Sequence, residues 1–268
     1  MRDTAFAKIN LALHVRHRRR DGYHEIETLF AFVDAGDEIT ARPAERDELT
    51  ITGEFAGQLA DPFANLVARA LSTVPRSTGL AVTLEKNLPV AAGLGGGSAD
   101  AGAMFRILRE TQPMSADWER RAAVLGADVP ACIESRTAIG RGTGTVIEPV
   151  DDDMAGIPVL LVNPRVPLAT GPVFAAWDGK DRGPLPTGPA SAISQTGRND
   201  LQPPAIALCP VIAEVLACLQ DTDASLVRMS GSGATCFALY PSEAQRQSAA
   251  NAIASAEPAW WQMQGKLR

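Results

Sequence analysis

The sequence predicts a two-domain protein that mixes strands and helices. Three observations carry that reading. The chain has 268 residues, 46% of them apolar, which is near the upper limit for one compact core and comfortable for two. Strand-like alternation and helix-like spacing both recur along it. The acidic run Asp151-Asp152-Asp153 then interrupts the pattern, and a boundary there gives domains over residues 1–152 and 153–268.

The elements follow in order. Ala5 to Val15 alternates, with Ala7, Ile9, Leu11, Leu13 and Val15 on one face and Lys8, Asn10 and His14 on the other. The basic turn Arg16 to Arg20 leads through Asp21-Gly22 to a strand around Ile26 to Val33. Ile39 to Phe55 reads as a further hairpin. Asp61 as N-cap and Pro62 at the first helical position open a helix to about Val74. Leu80, Val82 and Leu84 alternate as a strand; Ala101, Met104, Phe105 and Leu108 then keep helical spacing until Pro113. Asp117 caps a short helix ending near Gly126, and Ala127 to Pro130 reads as a turn. Val159 to Val162 is a buried strand, and Pro167 to Gly188 loops around a short helix. Ala205 to Leu219 reads as one helix, Ser225 to Met229 and Ala234 to Tyr240 as strands, and Ser242 with Gln245 as a capping box for a helix to Ala256.

Between the strand of Leu80 to Leu84 and the helix after it lies Pro89 to Ala103, with five glycines, four of them in the five positions from Gly93 to Gly97. A bare backbone entering a helix N-terminus leaves N–H groups unpaired and favours an anion. A Walker P-loop would need a lysine after the glycines, and a dinucleotide fingerprint a third spaced glycine; here Ser98 stands instead. A flexible linker rarely sits between a strand and an amphipathic helix. What remains is an anion cradle whose charge complement comes from elsewhere. Ser98 can cap the helix, touch a phosphate or help ligate a metal ion. Among 25 basic residues only Lys8, Lys86, Lys180 and Lys266 are lysines. Lys8 is either a half-exposed strand lysine or a cation aimed into a site. Asp128 is either a turn aspartate or a group able to accept a proton from an alcohol attacking phosphorus.

Composition excludes other classes. A net charge of −6 argues against a nucleic-acid binder. No apolar run reaches the roughly 18 residues of a membrane-spanning helix. Cys132, Cys209, Cys218 and Cys236 form no CxxC pair and read as reduced thiols. The start, Met1 to Thr4, lacks a signal-peptide apolar stretch. The expectation is a cytoplasmic protein.

Pro89 to Ala103 resembles the phosphate-binding motif of the GHMP small-molecule kinases, and Met229 to Thr235 resembles that family's C-terminal glycine motif. Lys8-Ile9-Asn10-Leu11, Asp21 to Phe30, Gly126 to Pro130 and Gly197 to Leu201 narrow the likeness. They point to the branch whose acceptor is a cytidyl diphosphate polyol on the route to isoprenoid precursors. The resemblance implies an α+β fold of two domains, ribosomal-S5-like and ferredoxin-like, with the active site in the cleft between them. It implies ATP as co-substrate, Mg2+ with Ser98 as a ligand, and small molecules rather than nucleic acid or membrane as partners. It makes Lys8 and Asp128 the catalytic pair. It assigns Pro89, Val90, Ala91, Ala92, Gly93, Leu94, Gly95, Gly96, Gly97, Ser98 and Ala99 to ATP. It assigns Asn10, Tyr23, His24, Thr170 and Phe174 to the acceptor, with Tyr23 and Phe174 stacking on the base. Gly231, Ser232 and Gly233 form the second glycine motif. Ala91 and Ala92 stand where the family often has glycine, and Arg141 to Thr145 lacks a common glutamate. Acceptors such as homoserine, mevalonate or a sugar are the alternative, and Tyr23-His24 argues against them because they carry no base to stack. A catalytically silent sensor on the same fold is disfavoured by intact Lys8, Ser98 and Asp128.

Overall fold

A computed structural model describes residues 1–59 and 65–268. Strand β1 is Arg2–Arg18, β2 His24–Ala44 and β3 Glu48–Thr52. A 3-10 turn at Ala56–Gln58 precedes α1 (Leu66–Thr73) and β4 (Gly79–Glu85). Then come α2 (Gly96–Thr111), α3 (Trp118–Leu125), α4 (Val129–Glu134), β5 (Ala138–Gly142), β6 (Val146–Pro149) and β7 (Pro158–Asn163). The chain continues through α5 (Thr170–Ala175), α6 (Ala190–Thr196), α7 (Gln202–Leu208), α8 (Val211–Gln220), β8 (Leu226–Met229), β9 (Cys236–Leu239), α9 (Glu243–Ala256) and β10 (Trp261–Lys266). The fold class is α+β, as the sequence led us to expect.

The chain forms two compact units that interleave along the sequence. The first holds Met1–Lys8, Ala35–Val90 and Gly95–Ser135. In it the second half of β2 pairs antiparallel with β4, Ile39 opposite Leu84, and β4 pairs in parallel with β3, Ile51 opposite Leu84. The second holds Ile9–Asp34, Ala91–Leu94 and Arg136–Arg268. In it the first half of β2 pairs with β5, which turns back into β6. A separate antiparallel sheet runs β10-β7-β9-β8. Leu160, Val162, Cys236 and Ala238 of that sheet pack with Ile212, Val215, Leu219 and Ile253 of α8 and α9.

Several expectations need correction. Ile39 to Phe55 is not a hairpin: β2 runs unbroken to Ala44, and β4 lies between it and β3. Alternation reports which faces a strand presents, not which strand lies beside it. Ala205 to Leu219 is two helices, because Pro210 offers no N–H and holds Cys209 extended at ψ 80°. The turn at Ala127 to Pro130 opens α4, with Asp128 at the N-cap and Pro130 in the first turn, where a missing N–H costs nothing. Helix α6 and strand β10 were not foreseen; in β10 only Trp261 is buried, so the apolar alternation is too weak to read. The expected Asp61-Pro62 helix start lies outside the described residues; α1 carries Asn65 as its N-cap, the side chain accepting from Val67 N–H at 2.8 Å. Ser242 caps α9 as expected, accepting from Gln245 N–H at 3.3 Å.

Candidate active site

The part of β1 that belongs to the first unit runs to Lys8, whose ammonium lies 3.2 Å from Asp128 Oδ2. Lys8 is 5% exposed, which removes the reading of a half-exposed strand lysine. The Asp128 side chain is 29% exposed, so the pair can meet a ligand. Strand alternation turns Lys8 to its face; the N-cap position of α4 brings Asp128 to the same place.

The glycines explain themselves against this pair. Gly95 is the N-cap of α2 at φ +62°, a left-handed conformation that glycine adopts without penalty. A Cβ there would stand 2.9 Å from Lys8 Cε and 3.6 Å from Asp128 Oδ2. Ala99 N–H donates to Gly95 O at 2.8 Å, so Gly96, Gly97 and Ser98 supply the first unpaired N–H groups of the helix. No acidic side chain occupies that first turn. Ser98 therefore does not cap α2, one of its three sequence readings. Its half-buried hydroxyl instead lies 3.5 Å from where a Cβ of Gly126 would be, two residues before Asp128. A cation, a carboxylate and a row of free N–H groups can hold a phosphate, orient an alcohol and take its proton. Among the described residues no cluster of three His, Cys, Asp or Glu side chains could cage a metal.

Behind the loop, buried Lys86 donates to Asp37 and, at 2.9 Å, to Asp100 of α2. Gly96 closes on this cluster, its Cβ position 3.2 Å from Lys86 Nζ. Burial pushes the Asp100 carboxyl up to about 8, against the pull of Lys86. The sequence signal was available: Lys86 is one of four lysines, and Asp100 interrupts an apolar helix face.

The second unit gathers the other predicted residues. Ala91 to Leu94 belong here, not with Gly95. Gly93 abuts the second glycine motif so tightly that a Cβ would meet Ser230 O at 2.3 Å. Ser230 Oγ donates to Gly93 O at 2.8 Å and accepts from Asn10 N–H at 3.2 Å. Asn10 Nδ2 donates to Thr28 Oγ1 at 2.7 Å. Gly231 sits beside Asn10 Oδ1, and Ser232 Oγ lies 3.0 Å from Thr170 Oγ1. Asn199, in a segment already singled out, donates to Met229 O and Gly231 O, both at 2.8 Å.

Helix α5 carries Thr170 and, one turn on, Phe174. The Phe174 ring lies 5.0 Å from that of His24, and Trp177 meets His24 edge-on at 5.8 Å. Tyr23, next to His24, is 66% exposed, an open aromatic face. Burial, then the neighbouring Arg18 charge, lowers the His24 pKa below its ordinary value. Trp177 escaped the sequence reading because its contact with His24 links segments about 150 residues apart; Arg18 lay in the basic turn already singled out, and what the sequence did not show is its bond to Ala175 O, 157 residues away. Two of the four arginines of the basic turn are ion-paired: Arg16 with Glu27 and Asp181, and Arg19 with Asp21 and Glu25. All four cysteines are free thiols, three of them buried. No helix among the described residues is long and apolar enough to cross a membrane.

Against known proteins, residues 62–136 match the family model for the GHMP kinases N terminal domain, and residues 187–259 that for GHMP kinases C terminal. The chain is 66% identical to the 4-diphosphocytidyl-2-C-methyl-D-erythritol kinase of Erythrobacter litoralis, the alignment covering 99% of each chain. It is 63% identical to the protein of that name from Novosphingobium aromaticivorans, over 100% of this chain and 93% of the other. A crystal structure of 4-(cytidine 5'-diphospho)-2C-methyl-D-erythritol kinase superposes with a TM-score of 0.84 at 32% identity, covering 100% of this chain and 99% of that one.

Proposed function

We propose a function from one premise: this chain belongs to the 4-diphosphocytidyl-2-C-methyl-D-erythritol kinase family, within the GHMP kinases. Its reaction is then transfer of the γ-phosphoryl group of ATP to the 2-hydroxyl of 4-diphosphocytidyl-2-C-methyl-D-erythritol, a step toward isoprenoid precursors. The observation that carries this reading is the Lys8–Asp128 pair, 3.2 Å apart beside the bare start of α2.

The roles follow from chemistry. The alcohol oxygen attacks the γ-phosphorus, its bond to the β,γ-bridging oxygen breaks, and ADP leaves. Asp128 accepts the proton that the alcohol gives up. Lys8 holds that oxygen and offsets the negative charge that develops. Pro89 to Ala99 bind the nucleotide, the free N–H groups of Gly96, Gly97 and Ser98 receiving phosphate oxygens. Mg2+ is expected to arrive with the nucleotide: one hydroxyl, that of Ser98, suits an ion held mainly by phosphates and water. Bound there, it would neutralise phosphate charge. In the second unit, Tyr23 and Phe174 stack on the cytosine and His24 hydrogen-bonds its edge. Asn10 and Thr170 hold the polyol diphosphate.

The division at 152/153 falls between the two family-model matches, whereas the compact units interleave and last change over between Ser135 and Arg136. The unpaired thiols fit a cytoplasmic location. ADP release with a panel of acceptors tests the function. Turnover of the cytidyl substrate alone is expected; preference for homoserine, mevalonate or a sugar would overturn the reading.

A further inference from the structure

The basic turn divides into two kinds of arginine. Arg16 and Arg19 each bind two carboxylates. Arg18 pairs with no carboxylate among the described residues. Its Nε donates to His24 Nε2 at 3.4 Å, and its Nη2 to Ala175 O at 3.3 Å, at the end of the helix that carries Phe174. The same guanidinium therefore touches the imidazole and the backbone behind the ring that packs on it.

A guanidinium has five N–H donors and no acceptor. A ring nitrogen facing it must present its lone pair, so Nε2 is unprotonated and the single proton of the neutral ring sits on Nδ1. Exposed neutral histidine has no such constraint. Phe174 and Trp177 pack around the ring, and Arg18 is the charged group that faces it.

We propose that Arg18 is a positioning residue for base recognition, holding His24 as the Nδ1–H tautomer so that the ring offers a donor to an acceptor on the base. This rests on the reading that the base meets His24. The chemistry it selects is specific. Both bases carry an acceptor at O2, but N3 is an acceptor in cytosine and an N–H donor in uracil. A ring locked as a donor and facing N3 matches the first and opposes the second, because a mismatched buried donor is costly.

The tautomer is measured on the full chain without substrate. Long-range 1H–15N NMR at about pH 8, above the ordinary imidazole range, resolves the three histidines, and His24→Gln assigns the signal. Wild type and Arg18→Lys, which keeps a donor-only cation, are expected to show a protonated-type Nδ1 and an unprotonated-type Nε2. Arg18→Met is expected to shift toward the Nε2–H form. In steady state, Arg18→Met is expected to raise KM for the cytidyl substrate on the order of tenfold. It should narrow the preference for cytidyl over uridyl substrate, with kcat and KM for ATP unchanged. An Nε2–H ring in wild type, or a tautomer in Arg18→Met unchanged from wild type, overturns the proposal. A tautomer change with unchanged cytidyl KM overturns the role in base recognition. Failure of the wild type to use the cytidyl substrate would instead count against the proposed function, since the NMR result stands without turnover.

Discussion

Replacing Gly95 with alanine should disable the chemistry while leaving the fold intact, and the structure sets the size of the effect. At φ +62° an alanine pays roughly 1–2 kcal/mol for a left-handed backbone. Its Cβ would stand 2.9 Å from Lys8 Cε, against about 3.5–4.0 Å for relaxed carbon contact. The lysine chain must therefore retreat by about 0.6–1.1 Å. Its ammonium, 3.2 Å from Asp128 Oδ2, then leaves hydrogen-bonding range. Misplacement of this size costs up to about 100-fold, so kcat for ADP release should fall by about 10- to 100-fold. The backbone term should lower Tm by about 2–8 °C. Gly97→Ala is the matched control for stability. It is helical, and among the described residues its Cβ would meet only Leu66 Cδ1 at 3.7 Å, so Tm should hold or rise slightly. Wild-type kcat in Gly95→Ala would refute the reasoning, as would equal losses of Tm in the two variants.

Other outcomes follow from the same geometry. Asp128→Asn should lower kcat by about 10²- to 10⁴-fold, the range for a lost general base, with nucleotide still bound by calorimetry; near-normal turnover would remove Asp128 from the proton path. Tyr23→Ala should raise KM for the cytidyl substrate by roughly tenfold or more, a stacking contact's worth, and leave KM for ATP alone; equal rises would make Tyr23 a packing residue. Asp100 titrates near 8 when folded against 3.8 otherwise, so the folded state holds its proton more tightly. Its contribution to stability is full below about pH 4 and is lost as pH rises through 8. Asp100→Asn should therefore gain Tm relative to wild type between pH 5 and pH 9, and a relative loss over that interval would contradict the assignment.

Much of this was legible in residue order because the relevant physics is local. Alternation in β1 placed Lys8 and Asn10 on one face, the glycine run announced a bare helix start, and Pro113 ended α2. Pro210 could have been read the same way, since a proline breaks a helix wherever it falls in its interior. Strand partners could not be read. That β4 separates β2 from β3 depends on backbone hydrogen bonds between distant segments, to which periodicity is blind. Trp261 in β10 gave too little alternation to mark a strand at all.

The sequence by itself determined the parts: a phosphate-type loop, a scarce lysine, a lone aspartate after a glycine, and an aromatic–histidine pair. Tertiary structure decided how they are shared out. The continuous run Gly93 to Gly97 is divided, Gly93 packing on Ser230 and Gly95 on Lys8. Arg18, unremarkable within a basic turn, became the donor to His24. The glycine contacts join residues far apart in the chain, and the Arg18–His24 contact depends on how the turn between them folds; residue order records neither geometry.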